Sequence, residues 1–324
     1  MNGLPVYLAF GFFSFIITFF FTKILVPRLK RFNITGRDVN KPDRPEVAEM
    51  GGIAIVAGFT AGVLLAIFFN TFLDFEFNLV YVLAAVITIH SLALIGIVDD
   101  LLDVPQYVKA FLPLVAAVPL VAVSAAGSTS MNIPFTGDVD LGILYIIVLI
   151  PIGVAVASNL SNMFAGFNGL EAGVGSVIFA VMAFLAIANN SVEAAILFIP
   201  VLGALLAFLC YNKYPAQVFP GDVGNLTIGA VLASGVIIGN MEAAGALLMI
   251  LYVADFFIKA YNRFPSSKWW GDYRMGKLYP LEGKVRGLPQ LVMKLFNGIS
   301  EKNLVLFFIG VEVIIGAVVV ALYL

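Results

Sequence analysis

The chain has 324 residues, of which 61% are hydrophobic and 12% charged, and its formal net charge is −2. A soluble domain carries about 45–50% apolar and about 25% charged residues, so this composition describes a polytopic integral membrane protein. One cysteine, Cys210, and one histidine, His90, exclude a disulfide framework and any thiolate or imidazole zinc cluster.

A membrane span needs roughly 20 apolar residues. Ten runs qualify, at 5–26, 51–70, 79–98, 108–126, 141–158, 171–189, 192–211, 226–239, 241–260 and 303–323, the eighth of them short. Each reads as a helix, since none shows the roughly ten-residue alternation of a barrel strand. The first run lacks a basic leading segment and a small-residue cleavage site, which predicts a retained helix. The fold class expected is therefore all-α, one transmembrane domain of about ten helices, with no internal repeat.

The basic residues order these spans. The segments after spans 1, 3, 5, 7 and 9, with the span ends beside them, hold all 18 Lys and Arg. The segments between hold none, only acids: Asp74, Glu76, Asp138, Asp140, Glu193 and Glu242. The positive-inside rule then predicts that the basic side is cytoplasmic and that both termini face outward. The cytoplasmic loops fall at about 27–50, 99–108, 159–170, 212–225 and 261–302, and the polar motifs lie there. Polar segments gathered on one face describe an active face rather than a pore.

The most unusual stretch is Asn159–Gly173, where three asparagines, a glutamate and three glycines interrupt apolar sequence. Irregular polar backbone is tolerated at membrane depth only where it is buried in protein or lines a wet cavity. Neutral amides there suit a metal ion or a nucleobase edge, and a capped connecting loop is the alternative. Asp99 and Asp100 end span 3. Clustered carboxylates hold hard cations such as Mg2+ together with substrate phosphates; one of the two could act as a base, or the pair could be a solvated helix end, which Asp103 extends. Lys109 follows at the start of span 4, placed to neutralise a phosphate or to snorkel to headgroups. Asp222, between Gly221 and Gly224, reads as a metal ligand or an N-cap. Phe219 offers a ring for stacking or an apolar anchor. His90 is expected to be structural. Asp255 and Glu312 are costly at membrane depth and are functional candidates on that ground.

The ordered set Asp38-x-Asn40-Lys41, then Val98-Asp99-Asp100 followed by Lys109, then Asn162-x-x-Ala-Gly-x-Asn168-Gly-Leu-Glu-Ala-Gly173, then Phe219-x-Gly-Asp222, resembles the polyprenyl-phosphate N-acetylhexosamine-1-phosphate transferases. The resemblance runs from about residue 36 to residue 286. Any one motif is weak, whereas four in this order at cytoplasmic span ends are specific. The wording of 168–173 is similar to the eukaryotic and archaeal branch, which uses UDP-GlcNAc and dolichyl phosphate. Ala165 stands where the bacterial translocase pattern carries an aspartate, and the bacterial His-rich motif of the last loop is absent. Gly276-Lys277-Leu278 is similar to the eukaryotic enzyme.

The resemblance implies a ten-helix fold with outward termini, and transfer of GlcNAc-1-phosphate from UDP-GlcNAc to a polyprenyl phosphate with release of UMP. It implies Mg2+, with Mn2+ as a substitute, held by Asn162 and Asp222. Asp99, Asp100 and Lys109 match the catalytic acidic pair and lysine; the acids would bind or deprotonate the acceptor phosphate. Arg37, Asp38, Val39, Asn40 and Lys41 match the first-loop segment lining the nucleotide site, and Asn168 and Phe219 would hold the uracil. The basic pair that contacts the sugar in the family has Lys268, Arg274 and Arg286 as its possible substitutes here. A homodimer in the cell membrane of an archaeon, with no nucleic-acid partner, completes the expectation. Direct attack by the lipid phosphate is preferred over a covalent aspartyl phosphate. A transporter is the rival class, opposed by the scarcity of charge inside the spans. A CDP-alcohol phosphotransferase is opposed by the lack of four acids along one helix.

Overall fold

The computed structural model describes residues 3–102, 104–124, 129–133, 137–265 and 268–324. Among them nine helices are long and apolar enough to cross a membrane, and a bent pair adds a tenth if it is one span. The long ones are α1 (Leu4–Arg31), α2 (Gly52–Phe72), α3 (Leu79–Leu102), the broken α4–α5 (Gln106–Ala116, Val118–Ser124), α6 (Ile150–Met163, continuing a π-turn at Tyr145–Leu149), α7 (Leu170–Ala188), α8 (Val192–Asn212), α9 (Gly221–Gly239) and α13 (Glu301–Tyr323). The pair is α10 (Glu242–Leu248) and α11 (Ile250–Tyr261), which meet at 60°. A short α12 (Leu288–Leu295) lies in the last loop, and three antiparallel hairpins, β1–β2 (Thr35–Arg37, Glu46–Ala48), β3–β4 (Ser130–Ile133, Gly137–Asp140) and β5–β6 (Gly271–Arg274, Lys277–Pro280), decorate the connections. The all-α membrane architecture is as composition requires.

Two helix starts and ends depart from the hydropathy boundaries, for identifiable reasons. The polar segment from Ser158 to Met163 is helical, not irregular, and its side chains are satisfied within the helix by bonding back one turn: Ser158 to the Val154 carbonyl at 2.8 Å, Asn159 to that of Ala155 at 2.8 Å and Ser161 to that of Ala157 at 2.9 Å. α9 begins at Gly221, five residues before the apolar run, because a carboxylate from another helix supplies its cap (below).

Helices α7, α8 and α9 are the centre of the bundle: 72%, 72% and 78% of their apolar windows are buried, against 22% for α1. α9 is clamped against α2 and α3 with backbone on backbone. A Cβ on Gly52 would lie 2.2 Å from the Gly224 nitrogen, and one on Gly96 would lie 2.5 Å from the Val223 Cα. These glycines are steric necessities.

The remaining buried polar groups are mostly structural. His90, half-buried, bridges the Thr60 hydroxyl (2.9 Å) and the Val86 carbonyl (2.7 Å), a structural role as expected. Asp255 is fully buried, accepts from the Leu288 amide at 2.7 Å and pairs with Lys259 at 2.7 Å, so it fastens α12 to α11. Glu312 is fully buried, and neither carboxyl oxygen has a hydrogen-bond partner among the described residues. The acid-only connections gather away from the polar motifs; there the Asn78 amide donates to Glu193 at 2.7 Å and the Tyr145 hydroxyl donates to Glu242.

Candidate active site

A cavity of about 1190 Å3 opens where the polar loops converge. Its walls come from the first loop (Gly36–Val39, Glu49), α4 (Lys109), α6 (Asn159, Asn162), the α6–α7 loop (Gly166, Phe167), the α8–α9 loop (Phe219–Asp222) and α11 with the start of the last loop.

One end is ionic. Lys109 Nζ lies 2.6 Å from Asp99 and 3.9 Å from Asp222. The Asp99 and Asp222 carboxyls are close enough to share a hydrogen bond. Asp99 is 5% exposed and also accepts from the Val104 amide at 3.0 Å, so its backbone-held carboxylate orients Lys109. Asp100 faces the other way. Its two oxygens accept from the Asp222 amide (2.8 Å) and the Val223 amide (3.1 Å), which are orphan donors at the start of α9. Lys109 and Asp222 line the cavity, while Asp99 and Asp100 stand behind them. Asp103 lies outside the described residues.

Asn162 lines the same end, its amide oxygen accepting from the Asn225 side chain at 3.2 Å. Among the described residues no group of three His, Cys, Asp or Glu could hold a metal ion. The donor set here is instead one carboxylate facing the cavity with neutral amide oxygens beside it. Hard oxygens in that number fit Mg2+, which keeps open positions for water and phosphate.

The other expected site residues divide into wall and support. Arg37, Asp38, Val39 and Phe219 line the cavity, and Arg37 has no carboxylate partner among the described residues. Asn40, Lys41 and Asn168 do not line it. Lys41 pairs with Asp38 at 2.9 Å and with Glu301, lies 4.4 Å from the centre of the Tyr214 ring, and donates to Asn168 at 3.2 Å. The expectation that Asn168 offers its amide edge to a base meets a buried side chain already bonded through both its oxygen and its nitrogen. It donates to Asp38 at 3.1 Å, accepts from Lys41 and from the Ala216 amide at 2.8 Å, and is 2% exposed. Lys268, Arg274 and Arg286, named for the sugar, pair with Glu282 (2.7 Å), Asp272 (2.6 Å) and Glu282 (2.6 Å), off the cavity wall. That double pairing holds the Glu282 carboxyl down at about 2.

Three wall groups had no role assigned from the sequence, Glu171 among them although it lies in the Asn168–Gly173 motif. Glu49 sits opposite Gly36, whose missing Cβ leaves its carboxylate room, and burial beside Asp100 pushes its carboxyl above the usual range. Glu171, buried, accepts from the Gly166 amide at 2.6 Å. Trp269 brings the last loop to the cavity. A glutamate three residues before α2 gives no local signal, and Trp269 becomes a wall only through long-range folding.

Residues 82–240 match the model of glycosyl transferase family 4. A Saccharolobus solfataricus protein with the provisional name UDP-N-acetylglucosamine–dolichyl-phosphate N-acetylglucosaminephosphotransferase is 35% identical over 311 residues, 95% of this chain and 94% of that protein. The Dictyostelium discoideum enzyme of that name, without the qualifier, is 28% identical over 92% of this chain and 84% of its own length. A phospho-N-acetylmuramoyl-pentapeptide-transferase of Halalkalibacterium halodurans is 30% identical over 76% of this chain and 78% of its own. The chain belongs to glycosyl transferase family 4.

Proposed function

We propose that this chain transfers N-acetylglucosamine 1-phosphate from UDP-N-acetylglucosamine to a polyprenyl phosphate of the dolichyl type. The observation that carries the reading is one cavity joining the Lys109–Asp99–Asp222 cluster to an apolar wall. That wall is α11's Val253, Phe256 and Phe257, the last of them 64% exposed, as a membrane-borne isoprenoid requires. Transfer of a phosphoryl group needs positioning and charge stabilisation more than covalent chemistry.

In the reaction, an acceptor phosphate oxygen attacks the β-phosphorus of the donor. The bond from that phosphorus to the bridging oxygen breaks, and UMP leaves with the oxygen. Lys109, aimed by Asp99, takes up charge on the phosphoryl oxygens. Asp222 and Asn162 would hold Mg2+, with Mn2+ able to replace it; the ion supplies charge neutralisation for the departing UMP. Arg37 is placed to meet a donor phosphate. Asp100 acts through Asp222 by capping α9, and no covalent aspartyl phosphate is required. The basic loops and this cavity face the cytoplasm in the reading favoured by the positive-inside rule, with the protein in an archaeal cell membrane as a homodimer.

A second reading keeps the chemistry and changes the sugar or carrier. The bacterial relative's name favours it, as does the neutralisation of Lys268, Arg274 and Arg286 by acids of the same loop. The test is UMP release by purified protein given UDP-GlcNAc, dolichyl phosphate and Mg2+, with EDTA and Asp222→Ala as controls. Release that needs lipid and metal and disappears in the variant supports the reaction and the metal site. Release only with another UDP-N-acetylhexosamine selects the second reading, and silence across donors and carriers with folded protein overturns both.

A further inference from the structure

Trp269 is held in the cavity wall by two buried amide side chains that do not line the cavity themselves. Asn40, 2% exposed, reaches from the first loop: its amide oxygen accepts from the Gly271 N–H at 3.0 Å, and its amide nitrogen donates to the Gly166 carbonyl at 3.2 Å. Gln290, fully buried in α12, donates to the carbonyls on either side of Trp269, those of Lys268 (2.9 Å) and Trp270 (2.8 Å). The carbonyls and N–H flanking the tryptophan are thus fixed from two directions.

The ring is fitted as closely as its backbone. Gly166 has φ +103° and a Cβ there would lie 2.3 Å from the indole, so only glycine allows the ring this position. Phe167 meets Trp269 edge to face at 6.0 Å. The Gly166 N–H is occupied as well, by Glu171. Three loops far apart in sequence therefore meet around one tryptophan, and its side chain lines the cavity.

We propose that Trp269 is a ligand-contacting wall of the donor site and that Asn40 is the positioning residue that sets it there. An amide is suited to the task because it donates and accepts at once, so one side chain ties a carbonyl of the α6–α7 loop to an N–H of the last loop. That Trp269 meets the UDP-sugar rests on the reaction proposed above; that Asn40 positions it does not.

The chain has two tryptophans, Trp269 and Trp270, both in this loop. In a Trp270→Phe background the intrinsic fluorescence reports Trp269 alone. Asn40→Ala shifts its emission to the red and raises its acrylamide quenching constant; Asn40→Asp, which keeps the acceptor and loses the donor, gives an intermediate shift. UDP-GlcNAc lowers the quenching constant of the Trp270→Phe protein. In kinetics, Trp269→Ala raises KM for UDP-GlcNAc about tenfold with kcat little changed, and Asn40→Ala/Trp269→Ala is no worse than Trp269→Ala alone, since the two act as a unit. Gly166→Ala displaces the ring and reproduces the emission change with Asn40 intact. An unmoved emission in Asn40→Ala, or KM losses that add in the double variant, overturns the positioning role. An unprotected Trp269, or an unchanged KM in Trp269→Ala, overturns the wall. Wild-type protein that releases no UMP sinks the proposed reaction, and the emission of the Asn40 variants then still decides the positioning role.

Discussion

Asp100 caps the helix that carries Asp222. Its carboxylate accepts from the Asp222 and Val223 amides at 2.8 and 3.1 Å, a cap that Pro220 at the N-cap position has no side-chain oxygen to supply. Two motifs 122 residues apart are in this way one structural unit. Asp100→Ala is expected to lose about 1–2 kcal/mol of stability, the upper range for a cap. UMP release falls with it as Asp222 moves, while Asp100→Asn, which keeps an acceptor, loses less of both. Melting temperatures in detergent beside UMP release check this; a dead but fully stable Asp100→Ala would place Asp100 in the chemistry itself.

Lys109 is the cation facing both Asp99 and Asp222. Lys109→Ala leaves the two carboxyls facing each other without it and removes the donor aimed at the phosphoryl oxygens. The expected loss is about 10²–10³-fold in kcat, the scale of deleting one preorganised donor. KM for the donor changes little. Steady-state kinetics separate the two, and a loss confined to KM would make Lys109 a binding group only.

Lys41 is the cation between the buried carboxylates of Asp38 and Glu301. Lys41→Met strands two buried carboxylates and is expected to cost about 3–5 kcal/mol. Lys41→Met/Glu301→Gln, which removes one stranded charge, recovers part of it. Thermal unfolding of the three proteins gives the comparison; equal losses in single and double variants would remove the charge argument.

Glu49 gives a pH signature. Burial first, and Asp100 second, raise its carboxyl above the ordinary range in the folded protein. The folded state then keeps the proton to higher pH than the unfolded chain does. The stability this gives is complete below the unfolded pKa and is lost as pH rises through the folded one. Glu49→Gln is therefore expected to melt with wild type near about pH 4 and above it near about pH 8. Melting curves across that range check the sign, and a constant difference at all pH values would point to packing instead.

The spans and the clustering of Asp99, Lys109, Asn162 and Asp222 were legible in the sequence. Hydropathy and charge segregation are properties of each segment taken alone, and four motifs on one face have few ways to meet. What was not legible is which side chains face the cavity. Asn40, Lys41 and Asn168 sit in polar loops beside wall residues, yet each is bonded to partners more than 120 residues away in the chain. The basic residues of the last loop looked free because Asp272 and Glu282, which neutralise them, are merely local acids in the sequence. The helical course of Asn159–Met163 was hidden because its polar side chains are satisfied by bonds to the preceding turn, which composition does not reveal.

The backbone contacts of α9 with α2 and α3 have a mechanical consequence. Between Gly52 and Gly224, and between Gly96 and Val223, no side chain intervenes, so there is no rotamer to change and nothing to repack. The side of the cavity that carries Asp222 is an anvil. The wall that α11 and the start of the last loop bring to the cavity through Phe256, Phe257 and Phe264 is built of rings that can turn. Entry of one substrate and exit of another must be accommodated there, and variants that tune turnover without touching the chemistry should be sought on that side first.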